Sequence, residues 1–373
     1  MHHAPTLPML ERATSVLDSW LAQGLVRRVD LPEVQRDVPL CLGPAGLTDV
    51  ASLAGFLAGH PQEVHALLVT HGALFFRGFA VDTGAKVEAL ARELAAADGL
   101  PLQDFYMGTS PRENVTNYVF SASELPEFYP IPQHCEMSFV AKPPLRLFFA
   151  ALNAPGEEGG ETPLCDMAAV WNDLPADVRD AFASKGLKIL RWYAAPGQKL
   201  DPWQLKPWPD MFKTTNRSEV EAISAKEGFA CQWQDDGALT LVSTQPAMVA
   251  HETSGVPVWF NHSQVFHLTA APIELKQIAK RRPDLRAVGS WLYAEWMVQR
   301  KKRQPDDRQP MHCTFADGTA IPRSMLQAVS DAIWRNQVAI PWQTGDFVAI
   351  DNRRVSHGRL PYRGPRTIVV AWA

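Results

Sequence analysis

The sequence has no apolar run long enough to cross a bilayer, since its strongest stretches, Ala73 to Phe79 and Leu145 to Leu152, are interrupted by Arg or followed closely by Pro. A membrane is therefore not an expected partner. Cysteine is scarce: Cys41, Cys135, Cys165, Cys231 and Cys313 are scattered and never form a C-x-x-C pair, which argues against a disulfide framework or a zinc knuckle. An excess of one charge is missing too. The 36 basic and 40 acidic residues leave a net charge of -4 without long blocks, so no polyanion-binding surface is advertised and nucleic acid is not expected as a partner. The first twenty residues mix Glu11, Arg12 and Asp18 among apolar ones and lack the layout of a signal peptide, so a cytoplasmic setting is expected. Internal repeats, low-complexity tracts and long linkers are also lacking, which favours one domain over residues 1–373.

What is present reads as a mainly β protein with added helices. Leu10 to Leu21 and Val87 to Leu94 carry apolar residues at helical spacing, and residues 1–70 are expected to form a mostly helical N-terminal extension. From Ala73 onward, short runs rich in Val, Ile, Phe and Trp are separated by Gly, Pro and Asp. The expected strands are Ala73–Phe79, Leu145–Leu152, Leu187–Tyr193, Val256–Asn261, Asp346–Ile350 and Thr367–Trp372. Their wide separation points to a barrel or sandwich with large insertions. The longest insertion, residues 194–236, holds Pro196, Pro202, Trp203, Pro207, Trp208 and Pro209 and reads as a lid. A second polar stretch, Gln299 to Gln309, reads as a solvated loop.

The chemistry concentrates in three places. His134 and Glu136 stand two residues apart, and in an extended strand such side chains share a face, so an imidazole and a carboxylate would converge. An H-x-E pair alone is common by chance and needs a third ligand. His357 offers one, because it follows a strand ending at the turn-forming pair Asp351-Asn352. His262, close to the expected strand Val256–Asn261, is its nearest rival. Two imidazoles and one carboxylate on one face of an iron leave three positions open, enough for a chelating 2-oxo acid and dioxygen. A closed structural zinc site leaves no such room. The far carboxylate of 2-oxoglutarate needs a cation, and Arg366 begins the run to Ala373. Arginine suits the task because its planar fork binds a carboxylate through two parallel hydrogen bonds. Arg359 and Arg363 compete for the role.

With these residues in view, the sequence resembles the taurine dioxygenase-like (TauD/TfdA) family of Fe(II)/2-oxoglutarate oxygenases, in particular its branch related to clavaminate synthase and SyrP-like hydroxylases. The resemblance runs from about Gly72 to the C-terminus. It rests on Leu74 to Phe79, His134 with Glu136, Gly159 to Asp166, Val258 to Asn261, Gly345 to Phe347, Asp351-Asn352, His357 to Arg359, and Arg366. It implies a double-stranded β-helix (a cupin-like jelly roll), Fe(II) held by His134, Glu136 and His357, and 2-oxoglutarate held by Thr162 and Arg366, with O2 as the oxidant. Related halogenases replace the carboxylate ligand by a small residue, so Glu136 implies hydroxylation of an unactivated C–H with release of succinate and CO2. Desaturation or cyclisation would use the same iron chemistry. Arg112, Asn117, Tyr118 and Ser121 lie where the family recognises substrate. The branch implies a free amino acid or an aminoacyl group on a carrier protein in specialised biosynthesis. A metal-binding barrel without turnover would not need Thr162 and Arg366, and zinc-dependent hydrolysis would need a second carboxylate as base.

Overall fold

The computed structural model describes residues 7–34, 38–104, 112–122, 125–154, 159–198 and 206–373. Its centre is a seven-stranded sheet in the order Val26–Arg28, Leu40–Pro44, Ala73–Phe76, Phe347–Asp351, Arg146–Asn153, Thr367–Trp372 and Phe120–Ser121. Leu40–Pro44 and Ala73–Phe76 pair in parallel, while every other neighbour is antiparallel. The central strands are apolar on both faces because both faces are covered. Phe148, Ala150, Phe347, Ala349, Val369 and Ala371 turn to a core shared with helices. Leu147, Phe149, Val348, Ile350, Val370 and Trp372 turn to a second core.

Helices Leu7–Ala22, Val50–Ala58, Pro61–His71 and Gly84–Ala96 build the first core. Two of them begin at side-chain caps: Asp49 accepts from Ser52 N in a reciprocal capping box, and Thr83 accepts from Lys86 N. Helix Pro61–His71 ends at Gly72, whose φ of 68° is the left-handed conformation glycine adopts freely. The Gly72 carbonyl then accepts Asp351 N at 2.8 Å, which ties the helix end to the neighbouring strand. The N-terminal seventy residues are not purely helical, because Val26–Arg28 and Leu40–Pro44 extend the sheet edge.

Facing the second core is a smaller sheet in the order Gln337–Val338, Leu164–Asp166, Val355–Arg359 and Ile131–His134, all antiparallel. Leu164 and Val355 reach the same apolar cluster as Phe149 and Trp372, so the two sheets share one interior.

Residues 167–336 form a large insertion with its own core. Here two expectations are corrected. Leu187–Tyr193 is a strand, yet it pairs with Met311–Phe315 and Leu239–Gln245 in a separate four-stranded sheet. Among the described residues, Pro257–Trp259, within the expected strand Val256–Asn261, pairs only with Met248–Ala250. Both are buried, and burial alone makes a strand apolar without saying which core it joins. The segment 194–236 contains helices Trp208–Phe212 and Arg217–Lys226 and strand Ala230–Trp233, with Trp208, Phe212 and Val220 in the insertion's core. Its Pro202 and Trp203 lie outside the described residues. Gln299 to Gln309 is not simply a loop, since helix Leu285–Lys301 runs into it and a short 3-10 turn spans Asp306–Arg308. No helix among the described residues is long and apolar enough to cross a membrane.

Candidate metal centre

The smaller sheet places His134 directly opposite His357 in the antiparallel register. Glu136 joins them by a turn, which corrects the expectation of simple strand alternation. The strand ends at His134, Ser138 N donates to Cys135 O, and Met137 takes a φ of 51°. Asn352 holds this turn. Its Oδ1 accepts Glu136 N at 2.7 Å, while its Nδ2 donates to Glu136 O at 3.0 Å and Pro144 O at 2.7 Å. One fully buried amide therefore fixes both backbone polar groups of Glu136. The result is a cluster in which one donor atom each from His134, Glu136 and His357 all lie within 4.8 Å of one another.

The electrostatics suit a divalent cation. His134 Nδ1 lies 2.9 Å from Pro132 O and is best read as donating to it, a tautomer that leaves an unshared pair on Nε2. Burial and the neighbouring His357 pull the His134 pKa down to about 4, so the ring is neutral near pH 7. Burial alone would raise the Glu136 carboxyl pKa, but the close approach of His357 and the charge of Arg112 outweigh it and keep Glu136 ionised. Arg112 Nη2 donates to Glu136 Oε2 at 3.1 Å. His357 Nε2 is 3.7 Å from the same oxygen, and its Nδ1 is buried without a partner among the described residues. Two imidazoles, one anionic oxygen and an imidazole nitrogen without a hydrogen-bond partner among the described residues fit a metal with open positions.

Thr162 and Arg366 are also brought together. Arg366 Nη2 donates to Thr162 Oγ1 at 3.4 Å and Nε donates to Gly160 O at 2.9 Å, while Trp342 Nε1 donates to the same threonine hydroxyl at 3.2 Å. Among the described residues no carboxylate pairs with Arg366. Burial and the nearby Arg359 push its pKa down to about 9, so the guanidinium is charged at neutral pH and short of an anion. The rivals are otherwise engaged or outside. Arg359 donates to the carbonyls of Leu125, Pro126 and Tyr129, and Arg363 is exposed.

The four expected substrate residues divide. Arg112 holds Glu136 and the carbonyls of Ser121 and Ala122, which makes it a positioning residue. Ser121 Oγ accepts Glu113 N and steadies the same edge strand. Asn117 is exposed in a bend, and Tyr118 packs on the helical layer with Arg92 5.2 Å from its ring centre. Asn117 and Tyr118 therefore stand apart from the cluster.

Sequence reasoning marked Asp351-Asn352 only as a turn, and it missed Trp342 and the partners Arg146 and His251 that hold Asp351 in a buried network. Each is an ordinary residue type whose partner lies far along the chain. His262 is nearer than its rank as a rival implied: its ring centre is 5.6 Å from that of His134, and its Nδ1 meets Ser138 Oγ at 2.6 Å.

A family model described as "Taurine catabolism dioxygenase TauD, TfdA family" matches residues 36–372. The dapdiamide synthesis protein DdaC of Enterobacter agglomerans is 28% identical over 324 residues, covering 87% of this chain and 88% of that protein. A clavaminate synthase-like protein of Arabidopsis thaliana is 29% identical over 311 residues, covering 82% of each. Among solved structures, PvcB, titled an Fe, alpha-ketoglutarate dependent oxygenase from an isonitrile synthetic pathway, overlays with a TM-score of 0.50 at 16% identity over 93% of this chain and 91% of its own. That likeness bears on the fold alone.

Proposed function

Because this chain belongs to the TauD, TfdA family of dioxygenases, oxidoreductases that work with Fe(II), 2-oxoglutarate and O2, we propose that His134, Glu136 and His357 hold its iron and that Thr162 and Arg366 hold 2-oxoglutarate. The reaction is hydroxylation of an unactivated C–H on an amino acid or a carrier-tethered aminoacyl group in specialised biosynthesis. The relatives' printed roles support this setting, since one serves dapdiamide synthesis and another is clavaminate synthase-like. The two sheets around one apolar interior are the two faces of a double-stranded β-helix, and residues 1–373 act as one catalytic domain with segment 194–236 as a lid.

The observation that carries the reading is a three-donor cluster together with a guanidinium that meets no carboxylate among the described residues. When bound, iron with 2-oxoglutarate and O2 supplies the oxidising power, releasing succinate and CO2. The chain's own residues do the rest. Pro132 O fixes the His134 tautomer, Arg112 keeps Glu136 anionic, and Asn352 fixes the turn that aims it. Arg366 offers a charged fork to the far carboxylate, and Trp342 orients the Thr162 hydroxyl beside it. Phe149, Val370 and Trp372 wall the interior and exclude water.

The test screens free amino acids and carrier-tethered aminoacyl groups for those that stimulate succinate release from 2-oxoglutarate. The expected product gains one oxygen atom. A product lacking two hydrogens would replace hydroxylation by desaturation, and no stimulation by any member of either set would refute the substrate assignment.

A further inference from the structure

The residues described so far hold the metal and the 2-oxo acid, but a C–H is attacked selectively only if the substrate itself is anchored. The insertion holds a buried arginine suited to that task. Arg191 lies in Leu187–Tyr193, between Met311–Phe315 and Leu239–Gln245, and is 1% exposed. Its guanidinium sits 4.5 Å from the ring centres of both Phe139 and Phe229. Nη1 donates to Tyr193 Oη at a long 3.4 Å, and Nη2 is buried without a partner among the described residues.

Other buried and half-buried arginines show what is missing. Arg146 pairs with Asp98 and Asp351, Arg354 with Asp166, Arg77 with Asp346 and Arg112 with Glu136, while Arg359 is met by three carbonyls. Among the described residues Arg191 has no carboxylate, a condition it shares with Arg366. Two aromatic faces compensate only part of the cost of burying a cation. Burial lowers its pKa, as expected for a charge without a counter-ion. Its position is as telling as its isolation. The Phe139 ring that carries it lies 4.8 Å from His262, which is in turn 5.6 Å from His134.

We propose that Arg191 anchors a free carboxylate of the substrate, with Phe139 and Phe229 flanking it and the substrate's carbon chain directed past His262 toward the metal. The inference rests on the iron-site reading and narrows it. An aminoacyl thioester has no free carboxylate at that position, so a free amino acid or a peptide with a free acid is the substrate class.

The experiment uses the full chain loaded with Mn(II) and saturating 2-oxoglutarate, with trifluoroacetate as the carboxylate probe followed by its fluorine NMR linewidth. The expected result is saturable paramagnetic broadening, weakened about 10- to 100-fold in Arg191→Met, the loss of a charge-assisted hydrogen bond pair. Arg191→Lys, which keeps the charge without the fork, falls between the two and reports if the methionine variant does not fold. Equal affinity in the wild type and Arg191→Lys and, where it folds, Arg191→Met, or no saturable broadening in the wild type, overturns the proposal. Mn(II) binding is read separately from water proton relaxation. If Mn(II) fails to bind, the iron-site reading falls and this inference with it. If it binds but the fluorine signal ignores Arg191, only the anchor falls.

Discussion

Replacing Arg366 by Gln should produce two effects of opposite sign. The guanidinium has one good hydrogen bond, 2.9 Å to Gly160 O, one long one to Thr162, and no carboxylate among the described residues. Bound 2-oxoglutarate would give it a bidentate, desolvated ion pair. Removing one partner of such a pair costs about 2–5 kcal/mol, and at 1.4 kcal/mol per decade the 2-oxoglutarate Kd should rise at least about 30-fold. Without 2-oxoglutarate the same change removes an uncompensated charge, so the unliganded variant should unfold no earlier than the wild type. Ligand should then discriminate them: at 100 times its Kd, 2-oxoglutarate adds about 2.7 kcal/mol to the wild type, and at most about 0.9 kcal/mol of this survives in the variant at that concentration. The assay is thermal unfolding with and without 2-oxoglutarate under anaerobic, metal-loaded conditions, alongside iron binding, which should be unchanged. A Kd within about threefold of wild type would refute the assignment of Arg366.

Three further outcomes are expected. Asn352→Ala removes three buried hydrogen bonds around Glu136 and should cost about 3 kcal/mol in chemical denaturation, with metal affinity falling in the protein that still folds. Gly159 has a φ of 95°, and a Cβ there would come 2.2 Å from Pro361 O, so Gly159→Ala should displace the segment leading to Thr162 and weaken 2-oxoglutarate binding more than iron binding. Burial raises the Glu274 carboxyl pKa to about 7 despite a hydrogen bond from Trp334. A carboxyl whose folded pKa is raised stabilises the fold below its unfolded pKa and loses that contribution as pH climbs through the folded value. Stability should therefore fall between pH 5 and 8 by roughly 1–3 kcal/mol, and Glu274→Gln should flatten that slope in melting curves.

The legible parts of the fold were those set by local composition. Strands such as Arg146–Asn153 and Thr367–Trp372 are apolar on both faces, and a continuous Val, Ile and Phe run announces a doubly covered strand. The same signal misled at Leu187–Tyr193, because an apolar strand does not name its sheet. At the site, His134 and His357 were legible as residue types with partners to find, and the register that sets them face to face is a non-local fact. Glu136 reaches the cluster through a left-handed residue at Met137 and an amide more than two hundred positions away, neither of which spacing encodes. Tyr118 shows the converse: close in sequence to Ser121 of the edge strand, it packs on the helical layer beside Arg92.

The central claim is that three side chains share one iron and leave room for a chelating 2-oxo acid. Anaerobic titration of the metal-free protein with Fe(II) and 2-oxoglutarate tests it through the weak visible charge-transfer band of the chelate. The band should saturate at one iron per chain and be lost in His134→Ala, Glu136→Ala and His357→Ala, with Arg366→Gln showing it only at much higher 2-oxoglutarate. A band of undiminished intensity in any of the three ligand variants would contradict the account.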